Sequence, residues 1–189
     1  MISLEWVKDY IDISDQDLEE LAVKITQSGI NVEKVITNHI NNLVIGEVLE
    51  CVAHPDSDHL HVCKVNVGNI TEQIVCGAPN VREGLKVIVA LPGAVLPGDF
   101  EIKKSKIRGV ESNGMLCALY ELGLEEKNDE TYAKGIEELG TDASVGEDPL
   151  KYLGLDDTLY ELDIHKHRNN DCYYHIGFAY EIGAILNRP

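Results

Sequence analysis

At 189 residues and 44% hydrophobic content, the chain can bury one good core or two small ones. A formal net charge of -17 excludes a molecule that attracts nucleic acid over its whole surface, because affinity for phosphate comes mainly from Lys and Arg. A polyanion must instead meet a local patch, and the acids cluster between Glu121 and Asp148 while the segment before them is close to balanced.

In chain order, Ser3 is placed to cap a short helix through Tyr10, and Ser14 with Asp17 to cap a second one. In that second helix Leu18, Leu21, Ala22 and Ile25 fall on one face, and Gly29 is placed to end it. A strand over Val32 to Ile36 follows. From Leu43 to Gly123, short β-branched runs are separated by turn signals such as His54-Pro55-Asp56-Ser57-Asp58, Pro92-Gly93 and Pro97-Gly98. Strands of that length and spacing predict a small closed or nearly closed β-barrel. Leu119 to Leu124 reads as one or two helical turns, and the acidic stretch through Gly146 as surface loop with short strands. The chain then offers Leu150 to Gly154, a strand over Thr158 to Ile164, a polar turn over His165 to Asn170 and a helix from Cys172 to Asn187. That helix has an apolar stripe of Ile176, Ala179, Ile182, Gly183 and Leu186. Neither end can bury its own apolar face. The expected organisation is therefore α+β, with residues 1-40 and 151-189 forming one discontinuous unit and the barrel, 41-150, inserted between its halves.

The five cysteines have no regular spacing and predict reduced, buried thiols. With no basic leader at Met1 to Trp6 and no apolar run long enough for a bilayer, the expected compartment is the cytoplasm, with no membrane partner.

The chemistry-bearing stretch is the basic run Lys103-Lys104-Ser105-Lys106-Ile107-Arg108. In an extended strand Lys104, Lys106 and Arg108 would share a face, either as a row of phosphate contacts or as a solvated edge that discourages strand pairing. Position favours phosphate, since Ser112-Asn113-Gly114-Met115 lies just beyond, a small polar turn able to offer backbone N-H groups and a hydroxyl to a sugar or base edge. Only Phe100 and Tyr120 supply rings near the run, which favours reading RNA by shape and backbone over stacking of single-stranded bases. His59, His61 and Cys63 alternate onto one strand face, yet no second Cys or His pair completes a metal-binding spacing, so no metal is expected. His165-Lys166-His167-Arg168 reads as an exposed or RNA-facing turn. Tyr174-His175-Ile176-Gly177-Phe178 approaches the nucleotide-binding signature of class I aminoacyl-tRNA synthetases, but it lies in a C-terminal helix with no Rossmann pattern around it. Phosphate-loop, dinucleotide and hydrolase motifs are missing as well, so those readings lack their minimum parts.

Several long motifs in order carry a family resemblance: Val44-Ile45-Gly46-Glu47-Val48, His54-Pro55-Asp56-Ser57-Asp58-His59-Leu60, Ile74-Val75-Cys76-Gly77-Ala78-Pro79-Asn80-Val81, and Lys106-Ile107-Arg108-Gly109-Val110-Glu111-Ser112-Asn113-Gly114-Met115-Leu116-Cys117. With the flanks Ser3-Leu4-Glu5-Trp6-Val7 and Gly177-Phe178-Ala179-Tyr180-Glu181-Ile182, they resemble the N-terminal region of bacterial phenylalanyl-tRNA synthetase beta subunits, which contains a tRNA-binding OB-fold domain. The resemblance implies an OB-fold β-barrel inserted into a small discontinuous α+β domain, with tRNA as partner. It further implies an alpha subunit that holds the aminoacylation site of a hetero-oligomeric enzyme, with ATP and magnesium used by the complete ligase and no catalytic residue or cofactor on this piece. For RNA contact it points to Lys106, Arg108, Ser112, Asn113, Gly114 and Met115, to which the basic run adds Lys104. Two departures stand out: His59 replaces a Lys or Arg, and the His165 to Asp171 turn replaces Thr-Pro-Asn-Arg. The alternatives are a structural scaffold of the synthetase with little RNA contact, or a stand-alone tRNA-binding protein.

Overall fold

The structure is a computed structural model that describes residues 1–37, 39–168 and 170–188; Asn38, Asn169 (part of the expected polar turn) and Pro189 lie outside it. The elements of the first half are β1 (Ile2–Ser3), α1 (Leu4–Val7), α2 (Leu18–Gln27), β2 (Asn31–Thr37), β3 (Leu43–Ala53), β4 (His61–Asn66), β5 (Thr71–Cys76) and β6 (Lys86–Ala90). Then come β7 (Val95–Leu96), β8 (Phe100–Glu101), β9 (Ser105–Ile107), β10 (Val110–Ser112), β11 (Met115–Cys117), a 3-10 turn at Leu119–Leu122, α3 (Asp129–Lys134) and β12 (Glu138–Leu139). The chain closes with α4 (Pro149–Tyr152), β13 (Thr158–Asp163), a 3-10 turn at Lys166–Arg168 and α5 (His175–Leu186). It is a mixed α+β molecule of two compact units, Met1–His39 with Gly154–Pro189, and Ile40–Leu153. Among the described residues no helix is long and apolar enough to cross a membrane.

The first unit is an antiparallel sheet in the order β1-β13-β2, packed against α1, α2 and α5. Its core centres on Leu4, Val7, Leu21, Ile25, Tyr160, Phe178 and Ile182, all at most 1% exposed, and the Tyr160 hydroxyl donates to the Leu18 carbonyl. Helix α2 buries the face its periodicity sets, but Asp17 alone caps it, accepting from the Glu20 N-H at 2.9 Å, while Ser14 bonds Asp12. Helix α1 is shorter than expected and stops at Val7. Helix α5 starts at His175, later than expected, with Cys172 buried in the segment before it. Its buried face keeps Ala179, Ile182 and Gly183 of the predicted stripe, with Leu186 packed against the same core. The departure is in the first turn, where Phe178 is fully buried and Ile176 is 43% exposed. His175, from the synthetase-like string, accepts the Ser3 N-H at 3.0 Å on Nε2, a structural use of the ring.

The second unit is a curled antiparallel sheet, a half-barrel, ordered β11-β6-β3-β4-β5 with β12 also on β6. Strand β3 makes the curl. Its first half pairs with β6 and its second with β4, and a register shift between Val48 and Glu50 bends it between the two. At the crossing only glycine fits: a Cβ on Gly46 would come within 2.5 Å of the Val89 side chain and 2.8 Å of Val65. The far edge of β5 is met by the chain after β10, where the Asn113 N-H donates to the Gln73 carbonyl at 2.8 Å. Gly68 and Gly146 also meet face to face, with a Cβ on Gly68 only 3.1 Å from the Gly146 Cα. There the 144–147 segment pairs with β3 through Ile45 N-H to Glu147 O and Gly146 N-H to Ile45 O, both 2.8 Å.

The acidic stretch is more ordered than its charge suggests. Asn128 caps α3 by accepting the Glu130 and Thr131 N-H groups at 3.0 and 2.9 Å, and Asn80 brackets Ile136 with bonds to its N-H and carbonyl. Arg82 and Glu138 add a two-pronged ion pair at 2.8 Å. The cysteines are all free thiols, with Cys51 half-buried and the others buried. Cys51 and Cys63 face each other across β3 and β4 with sulfurs 3.8 Å apart.

Candidate nucleic-acid interface

The basic run folds into a hairpin of β9 and β10, closed by Arg108 and Gly109, whose φ values are +46° and +84°. Positive φ at both central positions is what a tight two-residue hairpin needs, and Gly109 adopts it without strain. Arg108 does not, since a Cβ in the left-handed region costs roughly 1–2 kcal/mol. The turn also ends β9 at Ile107, so the expected three-residue row is not realised. Lys106 alone lies in the strand, Lys104 precedes it in a loop, and Arg108 stands at the tip; all three are exposed.

The His-Pro turn holds the tip. His54, 4% exposed, accepts the Asp56 N-H on Nδ1 at 3.0 Å, which leaves the proton on Nε2, 3.2 Å from the Ile107 carbonyl that it donates to. Arg108 Nη1 returns a bond to the Asp56 carbonyl at 2.8 Å. Lys106 pairs with exposed Glu111 at 3.5 Å, Lys103 with Glu101 at 2.7 Å, and among the described residues Lys104 has no ion-pair partner. Exposed pairs of this kind are weak, about 0–1 kcal/mol, and leave the ammonium groups able to exchange partners.

The polar turn is engaged inward. Ser112, 1% exposed, donates its hydroxyl to the Gly114 carbonyl at 3.0 Å and accepts the Val75 N-H at 3.0 Å. Asn113 gives its N-H to Gln73 and its amide to Glu72 at 2.9 Å. The hydroxyl and the Asn113 N-H expected to meet a sugar or base thus stitch β10 to β5. Gly114 has a φ of +148°, and a Cβ there would sit 2.7 Å from the Ala90 carbonyl oxygen, so its identity is a packing requirement. Met115 is half-buried in β11.

Gly114 and Met115 border a groove of about 1040 Å³ inside this unit, together with Ser105 and Ile107 of β9. Three six-membered rings line it, Phe100 from β8, Tyr120 from the 3-10 turn and Tyr132 from α3, together with the His59 imidazole. Sequence reasoning found the first two and missed Tyr132, which the α3 cap and the Asn80 bracket deliver from the acidic stretch. The Lys127 ammonium lies 5.5 Å from the Tyr120 ring centre and 5.8 Å from that of Tyr132. Glu121 also lines the groove; burial pushes its carboxyl up, opposed by the Ala118 N-H it accepts at 2.8 Å.

Among the described residues no cluster of His, Cys, Asp or Glu is arranged to hold a metal ion. Burial pushes the Cys63 thiol up, and the Cys76 thiol to about 11, which leaves both protonated and inert. Among the described residues the buried His61 Nδ1 has no hydrogen-bond partner.

The family model described as "Putative tRNA binding domain" matches residues 43–146, the half-barrel with its hairpin and groove. The chain belongs to that family. Over its whole length it is 48% identical to the phenylalanine–tRNA ligase beta subunit of Geobacillus kaustophilus and 49% identical to that of Oceanobacillus iheyensis, covering 24% of each. The chain therefore spans about a quarter of the length of these curated relatives, and matches their N-terminal part. Among solved structures it is similar to a MetRS-related protein from Pyrococcus horikoshii, 22% identical over 55% of this chain and 84% of that one, with a TM-score of 0.40.

Proposed function

We propose that this chain is the tRNA-contacting N-terminal portion of a phenylalanine–tRNA ligase beta subunit. In this reading an OB-type barrel, residues 41–150, is carried between two halves of one α+β domain, 1–40 and 151–189. The observation that carries it is identity near one half along the entire chain to beta subunits that bear this name, joined to a strained, exposed basic tip in the matched segment. Lys104, Lys106 and Arg108 meet phosphates, while Ser112, Asn113, Gly114 and Met115 shape and hold the surface beside them. The complete ligase would work in the cytoplasm with an alpha subunit, ATP and magnesium; this portion contributes grip and no chemistry.

A second reading has a specific observation behind it. The first unit exposes Trp6, Tyr10, Tyr173, Tyr174 and Tyr180, each at least half exposed, a surface suited to docking on other parts of a synthetase. Gel-shift titration of tRNA against the 189-residue chain over a range of salt separates the two. If the three cations each neutralise one phosphate, log K falls with log salt at a slope on the order of -2, and Lys106→Ala with Arg108→Ala flattens it. No complex even at low salt would leave the scaffold reading.

A further inference from the structure

The groove beside the hairpin has features that phosphate contact alone does not explain. Phe100 is 56% and Tyr132 64% exposed, so two large rings from separate elements keep apolar faces in water around one concavity. Isolated exposed apolar residues need no explanation, but rings converging on a hollow do. The electrostatics of the rim are equally specific. Lys103 lines the groove, and the Lys127 ammonium lies 5.5 and 5.8 Å from the Tyr120 and Tyr132 ring centres. Of the two acids in the lining, Glu101 is held by Lys103, and Glu121 is spent on the Ala118 N-H. An aromatic floor with a cationic edge suits a flat, π-faced group attached to a phosphate.

We propose that this groove stacks an unpaired nucleobase of the bound RNA against Phe100 and Tyr132, with Lys103 and Lys127 beside its phosphate. The inference rests on the tRNA reading above and deepens it, since the RNA presented here must be a loop, bulge or end. Bases in an A-form duplex are stacked and cannot enter a hollow of this size, whereas splayed bases lie readily on aromatic side chains. It also revises the expectation from sequence that this barrel reads backbone and shape alone, because Tyr132 joins the rings only through the fold.

The test uses the full chain in fluorescence-anisotropy titrations with labelled tRNA. Competition is by a short single-stranded oligoribonucleotide and by the same strand in a duplex, all at about 50 mM salt. The single strand is expected to compete and the duplex to fail. Phe100→Ala with Tyr132→Ala should weaken tRNA binding about 5- to 150-fold, the range that loss of base stacking gives, while Phe100→Tyr with Tyr132→Phe keeps it. Both positions are exposed, so the variants should fold, which circular dichroism checks. Photocross-linking with 5-iodouridine-substituted RNA should place adducts on peptides carrying Phe100 or Tyr132.

If wild-type chain binds tRNA while the alanine pair binds equally well and adducts map elsewhere, the stacking groove is wrong and the tRNA reading survives. If wild-type chain binds neither tRNA nor oligonucleotide, the tRNA reading itself has failed. Protection of Phe100 and Tyr132 from hydrogen exchange in an assembled, RNA-free ligase would assign the groove to a protein segment and overturn the inference.

Discussion

Two basic clusters of similar composition, the hairpin around Lys106 and Arg108 and the turn around Arg168, have opposite availability. Arg168 is gripped at 2.7 Å by both Asp171 and Glu181 and touches the Cys172 sulfur at 2.9 Å, with its side chain 25% exposed. Among the described residues the hairpin cations make at most one ion pair each, with exposed acids, and Arg108 bonds a backbone carbonyl. Arg168 therefore holds its unit together, while the hairpin retains positive charge for a partner. A count of Lys and Arg cannot separate these cases; what separates them is how many acids have already claimed each cation.

Four experiments press on that contrast. Gly114→Ala should be the most damaging, costing roughly 2–4 kcal/mol in urea unfolding, because it combines an unfavourable φ with a side chain driven at the Ala90 carbonyl. Next, Lys106→Ala with Arg108→Ala should lower tRNA affinity about tenfold at low salt, whereas Arg168→Met should leave it within about twofold while lowering the thermal midpoint. Equal losses from the two would erase the distinction. His54→Ala removes the bond that ties the tip at Ile107 and the bond that orders the His-Pro turn at Asp56, so a stability loss of about 1–2 kcal/mol should come with faster amide exchange through β9 and β10. The smallest effect is a titration. Burial pushes the Asp171 carboxyl up, but the Arg168 bond outweighs it and holds the group below its ordinary 3.8. A depressed carboxylate stabilises the fold above the unfolded value and loses that contribution as pH falls through the folded one. NMR should show Asp171 titrating below 3.8 in the wild-type chain and moving upward in Arg168→Met, where burial acts without its counterweight.

Much of the scaffold was legible because periodicity speaks directly about burial. Leu21, Ala22 and Ile25 lie on the face their spacing dictates, and the β-branched runs become the strands of the half-barrel. Helix α3 was missed because its acids hide a plain signal: Asn128 followed three residues later by Thr131, which closes a capping box. In α5 Ala179, Ile182 and Gly183 lie on the face their spacing predicts, and the departure is in the first turn, where the neighbouring core takes Phe178 in place of Ile176. The site was harder. The alternation of Lys104, Lys106 and Arg108 assumed a continuous strand, but Gly109 turns the chain first. Ser112 looked like a surface hydroxyl because nothing local says that Val75 will claim it. Tyr132 joins Phe100 across thirty-odd positions, and that meeting depends on Asn80, which no spacing rule connects to either.

The contact of Gly68 with Gly146 bears on how the half-barrel can be re-engineered. Two bare backbones meet there so closely that a methyl group would have to push one aside, so the short connection between β4 and β5 doubles as a guide rail for the segment that leaves the sheet. Lengthening that connection would derail the outgoing chain and loosen β3 with it.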